Sequence, residues 1–193
     1  MSIQIGEGIP GGEDVLGAVN DVVRQWTEPP TPASWAVVET ARPSADGLYG
    51  GIRRLTLINC YQWGLENHSR AHYADPQRLA EVKREIDASN ARRTSQIDQL
   101  NDAFVGVLVE ARGAALEGSP SLATPAEVVD RLSILALRRR HLAARTERTQ
   151  VEPGVEMVER QIADLATAFD ELMGEVIAGR RRLDLYRTVK LYG

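Results

Sequence analysis

The chain has 193 residues, 43% hydrophobic and 26% charged, with a net charge of −4 at pH 7. That is enough chain for one domain with a real core, and its composition is that of an ordinary globular protein. The negative balance argues against non-specific nucleic-acid binding. No apolar run approaches the roughly 20 residues of a membrane span. The N-terminus has no basic segment followed by an apolar one, so no secretory signal is read. A lone Cys60 excludes an intramolecular disulfide and fits a reducing cytoplasm. Arginine outnumbers lysine 21 to 2, a bias expected of a GC-rich bacterial genome, with Lys83 and Lys190 as the only lysines.

In chain order, residues 1–12 are Gly-rich and read as a flexible N-terminus, and residues 13–193 as a single all-α bundle domain. A short amphipathic helix is predicted over 13–26, with Val15, Leu16, Val19, Val22 and Val23 inward. Pro29, Pro30 and Pro32 forbid helix, and Trp35, Val37 and Val38 suit an apolar plug. A second helix is predicted over 45–73. Asp75-Pro76 restarts the chain with an N-cap and a first-position proline, opening a third helix to about residue 116. At ~1.5 Å per residue it is on the order of 60 Å long, and its far end would suit a partner subunit, as in a homodimer. Thr124-Pro125-Ala126-Glu127 forms a capping box for a fourth helix to about residue 145. Pro153-Gly154 opens a fifth, with Val155, Val158, Ile162, Leu165, Phe169, Leu172, Val176 and Leu183 on one seam, running towards the C-terminus. No stretch alternates with period two, so no sheet is expected. The fold class is an antiparallel helical bundle of about five helices with one very long central helix.

Polar residues interrupt the apolar seams. On the third helix the spacing gives Leu79, Val82, Ile86, Asn90, Arg93, Ile97, Leu100, Phe104 and Leu108 on one face. An unpaired polar group there costs roughly 1–3 kcal/mol and a charge more, so Asn90 and Arg93 need partners. The short link makes helices two and three antiparallel neighbours, with facing positions summing to about 149. That register sets Glu66 opposite Lys83, Asn59 opposite Asn90, and Trp63 beside Asp87. Asn59, Trp63, Glu66, Asn67 and Arg70 share a stripe on helix two, and Lys83, Asp87 and Asn90 one on helix three. Asp130, Ser133 and His141 share a face of helix four with Ile134 and Leu137.

This cluster supports two readings. In one, the chain is a small-molecule enzyme or binding protein. Arg93, Lys83 and Arg70 hold an anionic group, and Glu66, Asp87 or His141 acts as acid or base. In the other, it is a non-catalytic helical partner or scaffold protein whose polar core only sets helix register. The residues require no metal or organic cofactor. A carboxylate-bridged dimetal site would need Glu-x-x-His pairs, and none occurs. His68 and His72 lie one turn apart without a third ligand. No phosphate loop, dinucleotide fingerprint or nucleophile elbow is present. Arg138-Arg139-Arg140 and Arg180-Arg181-Arg182 suit solvated helix ends or an anion.

Four ordered signatures resemble a bacterial family known as domain of unknown function 4254, over residues 50 to the C-terminus. They are Asn59-x-x-x-Trp63-x-x-Glu66-x-x-x-Arg70; Val82-Lys83-Arg84-x-Ile86-Asp87-x-x-Asn90-x-x-Arg93; Thr124-Pro125 through Asp130-Arg131-Leu132-Ser133-Ile134-Leu135; and Tyr186-Arg187-x-x-Lys190-x-Tyr192. The resemblance adds Arg131, Lys190 and Tyr192 to the candidate binding residues. It also implies a sugar or nucleotide-sugar context, in polysaccharide or specialised-metabolite biosynthesis. The chain departs from the family pattern at Gly64, Asn67, Thr94 and Ser95, where His, Asp and Asn-Asp are usual.

Overall fold

The computed structural model describes residues 8–27, 47–71, 74–113, 116–149 and 153–185. The expected plug at Trp35, Val37 and Val38, together with His72 and the signature from Tyr186 to Tyr192, lies outside these residues. The helices are α1 (Gly12–Gln25), α2 (Gly47–Ala71), α3 (Pro76–Arg112), α4 (Pro125–Thr149) and α5 (Pro153–Ile177). Two short strands, β1 (Ser119–Pro120) and β2 (Arg181–Arg182), pair in parallel. The fold is all-α, as the periodicity predicts.

Local chemistry sets the helix ends. Asp75 accepts hydrogen bonds from the backbone N–H groups of Gln77 and Arg78 at 3.1 and 3.0 Å, so Pro76 opens α3 on a satisfied first turn. Gly113, at φ 63°, closes α3 by donating to Val109 O. At α4 the capping box forms in both directions. Thr124 N donates to Glu127 Oε2 at 2.8 Å, and Glu127 N donates to Thr124 Oγ1 at 3.4 Å.

The expected continuation of the fifth helix to Leu183 is corrected by Gly179. Its φ of 74° ends the helix in a left-handed cap, with Gly179 N bonded to Val176 O and Arg180 N to Glu175 O. The chain then turns back to form β2, a strand pair that the absence of alternation did not predict. Two-residue strands are too short to show a period.

The core runs the length of the bundle, from Val15 and Val19 on α1 through Ile52, Leu55 and Ile58 on α2 to Leu132 on α4 and Phe169 and Met173 on α5. Phe104 of α3 meets Phe169 edge-on at 5.9 Å between ring centroids. Helix α2 is central, touching α1, α3 and α4. Helices α2 and α3 run in opposite directions. Gly51 lies against Leu100 and Gln96, and Gln62 bonds to Ser89 and Asn90.

The buried face of α3 follows Val82, Ile86, Ser89, Gln96, Leu100, Phe104 and Leu108. This corrects the expected seam at Asn90, which is exposed. From Ile86 to Leu100 the face follows alternating steps of three and four, through Ser89, Arg93 and Gln96, the heptad pattern of a stripe facing an antiparallel partner, and that pattern takes Ser89 over Asn90 and Gln96 over Ile97.

Candidate functional site

Three helices meet at a polar node. Asn59 of α2 is 2% exposed. Its Nδ2 donates to Asp130 Oδ1 at 2.9 Å and to Ser133 Oγ at 2.5 Å, both on α4. Ser133 Oγ in turn donates to the Asp130 carbonyl at 2.7 Å. From α3, Arg93 Nε donates to Asp130 Oδ1 at 2.7 Å and Arg93 Nη2 donates to Oδ2, a two-point fork. These hydrogen bonds hold the Arg93 guanidinium above the ordinary arginine range, partly offset by burial. The pair is asymmetric in exposure: the Asp130 side chain is 9% exposed and that of Arg93 29%. Asn59 Oδ1 is fully buried and has no hydrogen-bond partner among the described residues.

The other candidates disperse around this node. Trp63 is half-buried and meets the exposed His141 ring edge-on at 6.0 Å. Asn90 accepts from Gln62 Nε2 at 2.6 Å, where Asn59 had been expected to face it. Glu66 and Lys83 form no ion pair. Glu66 is half-buried, while Lys83 and Asp87 lie on the exposed side of α3. Arg70 is exposed and donates to Asn67 Oδ1 at 3.1 Å. Arg131 is exposed. The expected stripe on α2 splits because α2 packs against more than one helix here: Tyr61 and Gln62 turn to α3, while Asn59 and Trp63 turn to α4.

Sequence reasoning missed three buried polar residues of α3, besides Thr56 and Ser69 on α2. Ser89 donates to Gln62 Oε1 at 3.4 Å, Gln96 lies beneath Gly51, and Asn101 Oδ1 accepts from Ala126 N at 3.0 Å in the first turn of α4. Heptad spacing back from Leu100 would have found Ser89 and Gln96. Nothing in the pattern marks Asn101, whose partner is a backbone group. A second cluster sits on the far side of α2. Tyr61 Oη donates to Glu85 Oε1 at 3.3 Å, and Arg92 Nη1 holds the same oxygen at 2.8 Å. Burial, reinforced by the Glu85 charge, pushes the Tyr61 phenol up to about 12.

The arginine runs have structural partners. Arg139 Nη2 donates to Asn20 Oδ1 at 2.8 Å, and Arg140 Nη1 donates to the carbonyls of Val23 and Trp26, satisfying the C-terminal end of α1. Arg180 pairs with Glu175, and Arg182 with Asp184 and the Gly118 carbonyl.

A cleft of about 350 Å³ lies between α3 and the start of α4, and none of the four node residues is in its lining. On α3 it begins at Thr94, the neighbour of Arg93, and continues past Ile97, Asp98, Asn101 and Asp102. On the α4 side it is lined by Thr124 and Glu127, one turn before Asp130. Ser121, Leu122, Asp184 and Leu185 complete it. Leu122 is fully exposed at its rim. Among the described residues no three His, Cys, Asp or Glu side chains are grouped closely enough to hold a metal ion.

A family model described as Protein of unknown function (DUF4254) matches residues 51–185, most of the chain. The chain belongs to this family. No curated protein and no solved structure matches it. The DUF4254 match spans α2 to β2, so the node and the cleft both lie within the family region. Among the positions where this DUF4254 member departs from the resemblance pattern, Gly64 is buried in α2, whereas Thr94 and Ser95 are exposed on α3. Among the described residues no helix is long and apolar enough to cross a membrane.

Proposed function

We propose that this protein binds a small polar molecule in the cleft between α3 and α4, with the Asn59–Arg93–Asp130–Ser133 node fixing the two helices that carry its lining. One observation carries the reading. The cleft, about 350 Å³ in volume, starts at the residue after Arg93 and one turn from Asp130. Small-molecule sites span roughly 300–1,000 Å³, whereas a polar core that only fixes register needs no adjoining space.

The lining favours one of the two ligand classes expected from sequence. Asp98, Asp102, Glu127 and Asp184 make it rich in acceptors and negative charge. That suits a donor-rich molecule, sugar-like or amine-bearing, and repels an anion. The grip of Arg93, Lys83 and Arg70 expected for an anion also has little support, since Lys83 and Arg70 are exposed and outside the cleft. Glu66, Asp87 and His141 likewise lie away from its lining, so the reading is of a binding protein before an enzyme.

The test is a thermal-shift screen of the full chain against sugars, nucleotide sugars, amines and organic anions, with hits mapped by NMR. At least one neutral or cationic compound is expected to bind, with shifts at Thr94, Asp98 and Asn101. Thr94→Trp, which fills the mouth, should abolish that binding, and Lys83→Gln should not. Hits that map around Glu66 and Lys83, or that survive Thr94→Trp, would refute the cleft.

The scaffold reading has its own observation, the near-complete internal pairing of the node. It expects no compound to bind the cleft and every node variant to change stability alone.

A further inference from the structure

We propose that the cleft selects a ligand carrying a primary ammonium group, with Asp98 as its counter-ion and the Asn101 amide as the adjoining donor. This deepens the reading of the cleft as a ligand site and rests on it. The acids of the cleft are not equivalent. Glu127 Oε2 accepts from Thr124 N in the capping box, and Asp184 Oδ1 accepts from Arg182 Nε at 2.9 Å. Asp98 is half-buried in the wall and makes no hydrogen bond or ion pair among the described residues. A partly desolvated carboxylate without a partner favours a cation or a strong donor brought to it.

Asn101 is the second observation. It is 6% exposed and lines the same cleft one turn from Asp98. Its Oδ1 is committed to Ala126 N at 3.0 Å, which fixes the orientation of the amide. The Nδ2 hydrogens then have no acceptor among the described residues, so a ligand that answers both groups brings a donor to Asp98 and an acceptor to Asn101. The acids are not grouped closely enough for three of them to share one metal ion. An ammonium on a carbon frame bearing an oxygen or nitrogen acceptor fits this separation of roles, and the negative lining adds to it at long range.

The experiment uses matched pairs that differ only in this group: 4-amino-1-butanol against 1,4-butanediol, and glucosamine against glucose. Each is titrated into the ¹⁵N-labelled full chain while the Asn101 side-chain amide and the backbone of residues 94–102 are followed. The amine of at least one pair is expected to move these signals, with its neutral partner about tenfold weaker or worse, the value of one charge-assisted contact. Asp98→Asn keeps the shape and should abolish the discrimination. Asp21→Asn, on α1 and outside the cleft lining, should leave it unchanged and so exclude general attraction to an acidic protein. Equal binding of amine and diol at the cleft overturns the ammonium assignment and leaves the cleft reading intact. The assignment also falls if neither member of either pair moves the cleft signals, or if discrimination survives Asp98→Asn. Silence of the cleft towards every compound of the wider screen overturns both readings.

Discussion

The unequal burial of Arg93 and Asp130 yields a directional prediction. Arg93→Met keeps the length of the side chain and removes its charge. It strands a carboxylate that is 9% exposed, whose Oδ2 loses its donor and whose Oδ1 keeps only Asn59 Nδ2. Breaking a buried pair in this way costs about 3 kcal/mol, at the low end of the usual range because Asn59 remains. Asp130→Asn strands the other partner, but Arg93 is 29% exposed and can turn its guanidinium to water. The cost there is about 1.5 kcal/mol, one charge-assisted hydrogen bond with screening by solvent. For a chain of this size 1 kcal/mol moves Tm by about 2–4 °C, so Arg93→Met should lower Tm by about 6–12 °C and Asp130→Asn by about 3–6 °C. The double variant removes both charges and should fall well short of the sum of the two losses. Urea unfolding of the four proteins measures this directly. Additive losses, or Asp130→Asn costing as much as Arg93→Met, would refute the account of the node as a closed, asymmetric pair.

Three other outcomes follow from the geometry. Tyr61 is held neutral well above the ordinary phenol value of 10.0, so its stabilising contribution is complete below pH 10 and is lost as pH rises towards about 12. Tyr61→Phe should flatten that part of the stability-versus-pH curve relative to the parent chain, and identical slopes would contradict it. Gly12→Ala places a Cβ 2.2 Å from the Ala166 carbonyl oxygen, forcing α1 away from α5 and disturbing the bond from Gly12 N to Asp170 Oδ1. A loss of about 2–3 kcal/mol is expected by chemical denaturation. Asp75→Ala removes the acceptor for two backbone donors at the start of α3 and should cost about 1 kcal/mol, read by thermal unfolding.

Much of the fold was legible because helix ends are written in local chemistry. Asp75-Pro76 and the Thr124–Glu127 box need only neighbouring residues to act, and they cap the helices as their spacing implies. The sense and approximate register of the α2–α3 hairpin were legible for a similar reason, since a short link leaves few alternatives. Which polar residues meet was less legible. A stripe on α2 reads as one face until the helix is seen to touch three others, and the split between Gln62 and Asn59 follows from that placement. The choice of Ser89 over Asn90 turns on whether the step after Ile86 is three or four residues, which the apolar residues of the helix do not mark. Asn101 was invisible because its bond goes to a backbone N–H, and no side-chain pattern records it.

The β1–β2 pair has a consequence for the order of events during folding. Ser119 N bonds to Arg180 O and Ser121 N to Arg182 O, joining segments about sixty residues apart in the chain. A clasp of so few bonds cannot offset the closure of so long a loop by itself. It forms only once α4 and α5 have packed and brought its ends together. Ser121, Leu122, Asp184 and Leu185 flank that clasp and supply one side of the cleft. The cleft is therefore a late product of assembly, completed when the last helix docks. A nascent chain still short of β2 holds every residue of the node but lacks Asp184 and Leu185, and with them one wall of the cleft.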